Sequence, residues 1–302
     1  MTKKQKIAII GSGGLLGQEL VSYLSLSDKS TIIPLEHGEI EIEDPESTDK
    51  NIIKHLPDII INCAAIPNVD ICEKDPDKCF GINTDGVTNI LNSIKKSGSS
   101  SAFIQISSSE VFGRIKEGQY KINGYKEDEA PDPISVYQKS KTNAEKITAQ
   151  FARKNPEVLK RWYVTRAGWL YGKGRKTFVE SFLEALQKKD ALTIVKNQWR
   201  SPTWTKDFAK GLSELINGEC ESGIYHIVSE VKEGEATTMD VIEEIKKYLG
   251  DRTEKTKIEL VPRNELFKTP RAPSNVILNT KLPKLPYWRD SLQEYLKKYY
   301  PL

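Results

Sequence analysis

Tyr137 and Lys141 stand one helical turn apart in the stretch Val-Tyr-Gln-Lys-Ser-Lys that runs from Val136 to Lys141. A helix through them sets both side chains on one face. An ammonium beside a phenol stabilises the phenolate, lowering the phenol pKa from its ordinary value of about 10. The phenol can then exchange a proton with a substrate oxygen near neutral pH. A second hydroxyl would hold that oxygen in place, and Ser107 or Ser108, in the run Ser107 to Ser109, offers one. An exposed face of a lysine-rich helix has the same spacing, with Lys139 and Lys146 close by. The surrounding elements separate the two readings.

The first of those elements is Lys6 to Leu20, KIAIIGSGGLLGQEL. Ile7 to Ile10 is an apolar run suited to a strand buried on both faces. It breaks at Gly11, and Leu15, Leu16, Glu19 and Leu20 follow at helical spacing. Gly11, Gly14 and Gly17 lie between and within these elements. They allow a tight turn, close approach of a pyrophosphate and close packing of helix on strand. Amides that open the helix would face the phosphates. A glycine loop placed after a strand and before a helix predicts dinucleotide binding. Hydride would then pass to or from a nicotinamide carbon while Tyr137 moves the proton. Glu36, about twenty residues beyond the loop, is placed to meet the adenosine ribose hydroxyls, which favours NADH over NADPH.

Strands are predicted at Thr31–Leu35, Asp58–Cys63, Ala102–Ile106 and Val158–Thr165, with helices over Asp75–Lys96 and Ser135–Phe151. Gly113–Pro133 reads as an irregular loop. The alternation predicts an α/β fold, a Rossmann-like doubly wound parallel sheet with a smaller C-terminal α/β substrate-binding part. The division falls at 1–168 and 169–302, with a segment near 193–228 returning to the first part. In the second part the pattern predicts helices over 178–189, 205–217 and 238–249, strands over 192–195 and 223–228, and a last helix from about Arg289.

Composition excludes several partners. Of 302 residues, 45 are Lys or Arg and 42 are Asp or Glu, so no charge excess recommends nucleic acid or an anionic membrane. No apolar stretch is long enough to span a bilayer, and no signal-peptide core precedes the first strand. Cys63, Cys72, Cys79 and Cys220 show no paired zinc spacing, and the histidines do not cluster. Free thiols in a reducing cytoplasm are expected, with no metal site.

In the order of its motifs the chain resembles the dTDP-4-dehydrorhamnose reductase family of extended short-chain dehydrogenase/reductases. The stretches that carry the resemblance are PDIIINCAAIPNVDICEKDP (57–76), INTDGV (82–87), SSSEVF (107–112), VYQKSKTNAEK (136–146), TRAGWLYGKG (165–174) and SPTWTKD (201–207). The resemblance implies a catalytic set of Ser108, Tyr137 and Lys141, supported by Asn83, with Lys141 also holding the nicotinamide ribose. It implies cofactor contacts from Gly11, Gly14, Leu15, Leu16, Gly17, Ala64 and Ala65, with Glu41 and Ile42 flanking the adenine. Val69, Ser109, Glu110, Trp169, Trp199 and Arg200 fall in segments expected near a nucleotide sugar. The implied reaction is NAD(P)H-dependent reduction of a C4 ketone in a nucleotide-linked 4-keto-6-deoxy sugar, by a monomer or homodimer. Some relatives are dimers that use Mg2+ at the interface, but no acidic cluster here demands one. The chain departs from the family pattern at Glu110, Thr177, Asn197, Arg200 and Ala272. An NAD-dependent epimerase or dehydratase, or a non-catalytic cofactor-binding subunit, would share the fold.

Overall fold

The computed structural model describes residues 4–116, 118–188, 191–250 and 256–302. Its centre is a parallel sheet in the order β2-β1-β3-β4-β5-β9. The strands are β1 (Gln5–Ile10), β2 (Ser30–Leu35), β3 (Ile59–Asn62), β4 (Ala102–Ser108), β5 (Arg161–Ala167) and β9 (Gly223–Ile227). Alternate residues of a strand face opposite sides, and both sides are covered here. Ile7, Ile9 and Ile61 pack with α1 (Leu15–Leu24) and α8 (Thr205–Asn217). Ala8, Ile10 and Ile60 pack with α2 (Pro45–His55), α5 (Gly86–Lys96) and α6 (Val136–Lys154). The doubly wound parallel sheet expected from the sequence is therefore present.

Because β2 and β3 flank β1 on opposite sides, a crevice opens beyond the carboxyl ends of β1 and β3. The chain also supplies α3 (Val69–Lys74), α4 (Pro76–Phe80) and a π-helical turn, Gly81–Asp85, that joins α4 to α5. A third apolar cluster forms among α7 (Phe178–Lys188), α9 (Thr238–Leu249) and α11 (Trp288–Tyr299). Two short parallel pairs border it: β6 (Trp169–Tyr171) with β8 (Pro202–Trp204), and β7 (Leu192–Val195) with β10 (Ile258–Val261). The short helix α10 (Arg263–Leu266) follows β10.

Several boundaries differ from expectation. The fifth strand begins at Arg161, not Val158, because the amides of Val158 and Leu159 turn back to the Asn155 carbonyl at 3.1 and 3.0 Å. The stretch over 75–96 is helical but changes to π geometry at Gly81–Asp85. Helix α2 carries too few apolar residues to show periodicity; Asp44, whose side chain accepts the Glu46 amide at 3.0 Å, and Pro45 mark its start. The helix expected over 178–189 is described to Lys188, and residue 189 lies outside the described residues. Residues 113–133, with 117 outside the description, hold no helix or named strand.

Gly11 turns the chain with φ +77°, a conformation that other residues adopt at a cost. Gly17 is fixed by contact: a Cβ there would lie 2.2 Å from the Gly11 carbonyl oxygen. Replacing Gly17 by alanine must therefore push α1 away from the loop. Gly17→Ala is expected to lose about 1–3 kcal/mol of stability in denaturant unfolding.

Candidate active site

The helix α1 starts without a side-chain cap: Gly14 is its N-cap, and no acid stands in its first turn. Its first amides thus have no partner within the helix and suit an anion. Beside them lies a cavity of about 400 Å³, lined by Gly11, Gly14, Glu36, Glu41, Ile42 and Ala64 among others. Ala65 borders it too, and so do His37, which follows Glu36, and Lys78 and Arg175, which sequence reasoning had not singled out for it. Glu41 is tied to the loop by accepting the Gly38 amide at 2.9 Å, and its other oxygen lies 2.9 Å from His37 Nδ1. Ile42 fills the space above Gly86, where a Cβ would come within 2.7 Å of its Cδ1. An uncapped helix start, glycine turns without Cβ atoms and a cavity that runs from the glycine loop to Glu36 and Glu41 fit a dinucleotide.

A second cavity of about 500 Å³ shares Gly11, Gly14, Cys63, Ala65 and Arg175 with the first. Ser108, Tyr137 and Lys141 all line it, as do Leu15, Leu16, Gly17, Val69, Ser109, Glu110, Trp169 and Arg200. Ser135 caps α6 and forms a reciprocal capping box with Gln138, which fixes the turn that carries Tyr137. Trp169 stacks on Phe178 with ring centroids 3.5 Å apart, so one face of its indole is already taken. Glu110 accepts from Asn275 Nδ2 at 2.6 Å and from Gln138 Nε2 at 3.1 Å. Arg271 lines the same cavity and donates to Asp70 Oδ2 at 2.8 Å, tying the C-terminal segment to α3.

Two predicted residues do not line the cavity. Trp199 does not border the cavity; it donates from Nε1 to the Gly234 carbonyl at 3.2 Å and stacks near Tyr120. Asn83 is buried behind the site. It accepts the Ile66 amide at 2.8 Å and donates to Ser140 Oγ at 3.0 Å, bracing the loop after β3 against α6. Its place in the π turn explains how it reaches both. Among the described residues, no group of three or more His, Cys, Asp or Glu side chains could hold a metal ion.

Electrostatics correct one expectation: the Tyr137 phenol is raised, not lowered. Lys141 donates from Nζ to the Ile106 carbonyl at 2.6 Å. Burial pushes the phenol well above its ordinary range; the neighbouring Ser108 hydroxyl opposes this, and Glu110 adds to it. Burial also pulls Lys141 down to about 8, against the attraction of Glu145. At neutral pH the site therefore presents a protonated phenol and an ammonium. Such a pair suits donation of a proton to a carbonyl oxygen.

A family model described as RmlD substrate binding domain matches residues 5–300. The chain belongs to that family. It is an extended short-chain dehydrogenase/reductase, as the motif order implies. It is 29% identical over 297 residues to the spore coat polysaccharide biosynthesis protein SpsK of Bacillus subtilis (strain 168), covering 97% of each chain. It is 28% identical over 230 residues to dTDP-4-dehydrorhamnose reductase of Aggregatibacter actinomycetemcomitans, covering 74% of each. Its fold is similar to that of dTDP-4-dehydrorhamnose reductase from Bacillus anthracis str. Ames, solved in complex with NADP. The TM-score is 0.84, with 24% identity, covering 98% of this chain and 100% of that one.

The geometry gives two expectations. Tyr137→Phe should lower turnover about a hundred- to ten-thousand-fold while leaving NADPH binding, followed by fluorescence titration, unchanged. Because Lys141 carries its charge below about 8 and loses it above, wild-type kcat/KM should fall as pH rises through that value.

Proposed function

We propose that the chain is an NAD(P)H-dependent reductase of the C4 ketone in a nucleotide-linked 4-keto-6-deoxy sugar. The observation that carries this reading is the convergence of Ser108, Tyr137 and Lys141 on a cavity sharing a wall with the glycine-loop cavity. Family membership and the relationship to a dTDP-4-dehydrorhamnose reductase supply the substrate class, with dTDP-4-dehydro-L-rhamnose the first to try.

The dinucleotide would be held by the opening amides of α1, by Gly11, Gly14, Ala64 and Ala65, and at its adenosine end by Glu36, Glu41 and Ile42. Bound NAD(P)H supplies hydride to the carbonyl carbon. The chain does the rest. Ser108 holds the carbonyl oxygen, Tyr137 donates the proton that the alkoxide needs, and Lys141 orients the ribose and keeps positive charge beside the phenol. Arg200, Trp169 and Glu110 border the space assigned to the sugar nucleotide. Burial of the set strengthens each of these interactions.

Glu36 lies where a ribose 2′-phosphate would meet its carboxylate, so NADH is the preferred reductant in this reading. The reading also divides the chain at residue 168, the third apolar cluster marking the substrate part and 193–228 returning to the sheet through β9. It places the protein in the cytoplasm as a monomer or homodimer, the dimer with or without Mg2+ at its interface. No helix among the described residues is long and apolar enough to cross a membrane.

Purified protein supplied with a panel of nucleotide-linked 4-keto-6-deoxy sugars should consume NAD(P)H in equal amount to ketone, NADH being used faster. Sugar interconversion by protein-bound NAD without net consumption would overturn the reductase reading in favour of an epimerase. Faster use of NADPH would overturn the role given to Glu36.

A further inference from the structure

Behind the site lies a line of buried polar side chains that the reaction described above does not use. Glu145 follows Lys141 by one turn of α6, on the same face. Arg166 on β5 is fully buried and donates from Nε and Nη2 to the two oxygens of Glu145, at 2.9 and 2.8 Å. Ser107 on β4 donates to Glu145 Oε1 at 2.6 Å. The remaining side of the guanidinium meets His226 Nε2 at 3.3 Å, and His226 Nδ1 lies 2.9 Å from the Leu278 carbonyl. That carbonyl needs a donor, so the proton sits on Nδ1 and Nε2 accepts from Arg166. Burial and the Arg166 charge pull His226 down to about 4, which keeps this imidazole neutral.

Buried ion pairs contribute little net stability, because desolvation offsets their attraction. Stability therefore does not account for this one. Its placement does. The same carboxylate is bound to the strand that carries Ser108 and sits on the helix that carries Tyr137 and Lys141. We propose that Glu145 is a positioning residue of this active site: its carboxylate, pinned by Arg166 and Ser107, supplies the counter-charge of the Lys141 ammonium and ties the end of β4 to α6. The proposal rests on the reading of Ser108, Tyr137 and Lys141 as the working set.

The other groups acting on Lys141 do not supply that charge. Cys63 beyond β3, Cys72 on α3 and Cys79 on α4 face it with thiols. Burial pushes Cys63 up to about 12 and Cys72 higher still, so both stay neutral. Tyr137, the nearest phenol on α6, is raised in the same way. Glu145 is the largest influence opposing the burial of Lys141. Loss of its negative charge moves the Lys141 titration to lower pH, and Arg166, left uncompensated, would push in the same direction.

The test follows the Lys141 signal directly, by NMR titration of protein labelled with 13C and 15N lysine. The signal is identified by its disappearance in Lys141→Met. In Glu145→Gln the midpoint should move acidward by about one unit, a tenfold change in the proton equilibrium. The basic limb of kcat/KM should move with it, KM changing little, and Glu145→Asp should restore both. If Glu145→Gln does not fold, Glu145→Gln/Arg166→Met removes both charges and should still move the midpoint acidward, by less than Glu145→Gln because the Arg166 charge is gone as well. A folded variant whose midpoint stays at the wild-type value, active or not, overturns the proposal, as does failure of both variants to fold. The titration needs no substrate. A wild-type protein inactive on every nucleotide sugar would sink the reductase reading, while the titration would still decide the role of Glu145.

Discussion

The contact on which the site depends is between two glycines. The Gly11 carbonyl occupies the place where a side chain on Gly17 would begin, and this lets α1 lie directly against the loop that turns out of β1. With the helix so close, its uncapped amides open at the end of the sheet rather than into solvent beside it. The remaining parts of both cavities are arranged around that point. Cys63 to Ala65 follow β3, the serines end β4, and α6 brings Tyr137 and Lys141 across from the far side. Each comes from the carboxyl end of a parallel strand or from the helix packed on it, as ligand sites in open α/β sheets require.

Burial governs the chemistry of this site more than local pairing does. Tyr137 and Lys141 are displaced in opposite directions, each toward its neutral form. A phenol held protonated is suited to giving up its proton only as negative charge develops on a nearby oxygen, which is what a ketone acquires on reduction. The ammonium is kept in play by a carboxylate that the sequence places one turn further along α6.

Much of this was legible in the amino-acid sequence because the elements carry strong local signals. Ile7 to Ile10 and the glycines after them define strand, turn and helix, and Ser135 with Gln138 forms a capping box. Helix α2 escaped notice because only its cap and first proline mark it. Trp199 falls in a segment that the resemblance sets near a nucleotide sugar, yet its backbone bridges to Thr237 and Ser274 and its side chain does not border the cavity. The Tyr137 phenol is raised where a lowered one was expected, because spacing along a helix gives proximity but not depth of burial. Arg175 had no local signal for the cavities, and Arg271 had only its place beside Ala272, where the chain departs from the family pattern. Arg175 reaches the Gly13 carbonyl at 3.2 Å and Arg271 reaches Asp70, contacts separated by 162 and 201 residues.

The wall shared by the two cavities has a thermodynamic consequence. Gly11, Gly14, Cys63, Ala65 and Arg175 belong to both, so a ligand that shifts them in one cavity changes the shape of the other. Whatever factor the first ligand imposes on the affinity for the second, the second must impose on the first. Arg175, anchored on the glycine loop from a segment distant in the chain, makes that linkage a property of the fold itself.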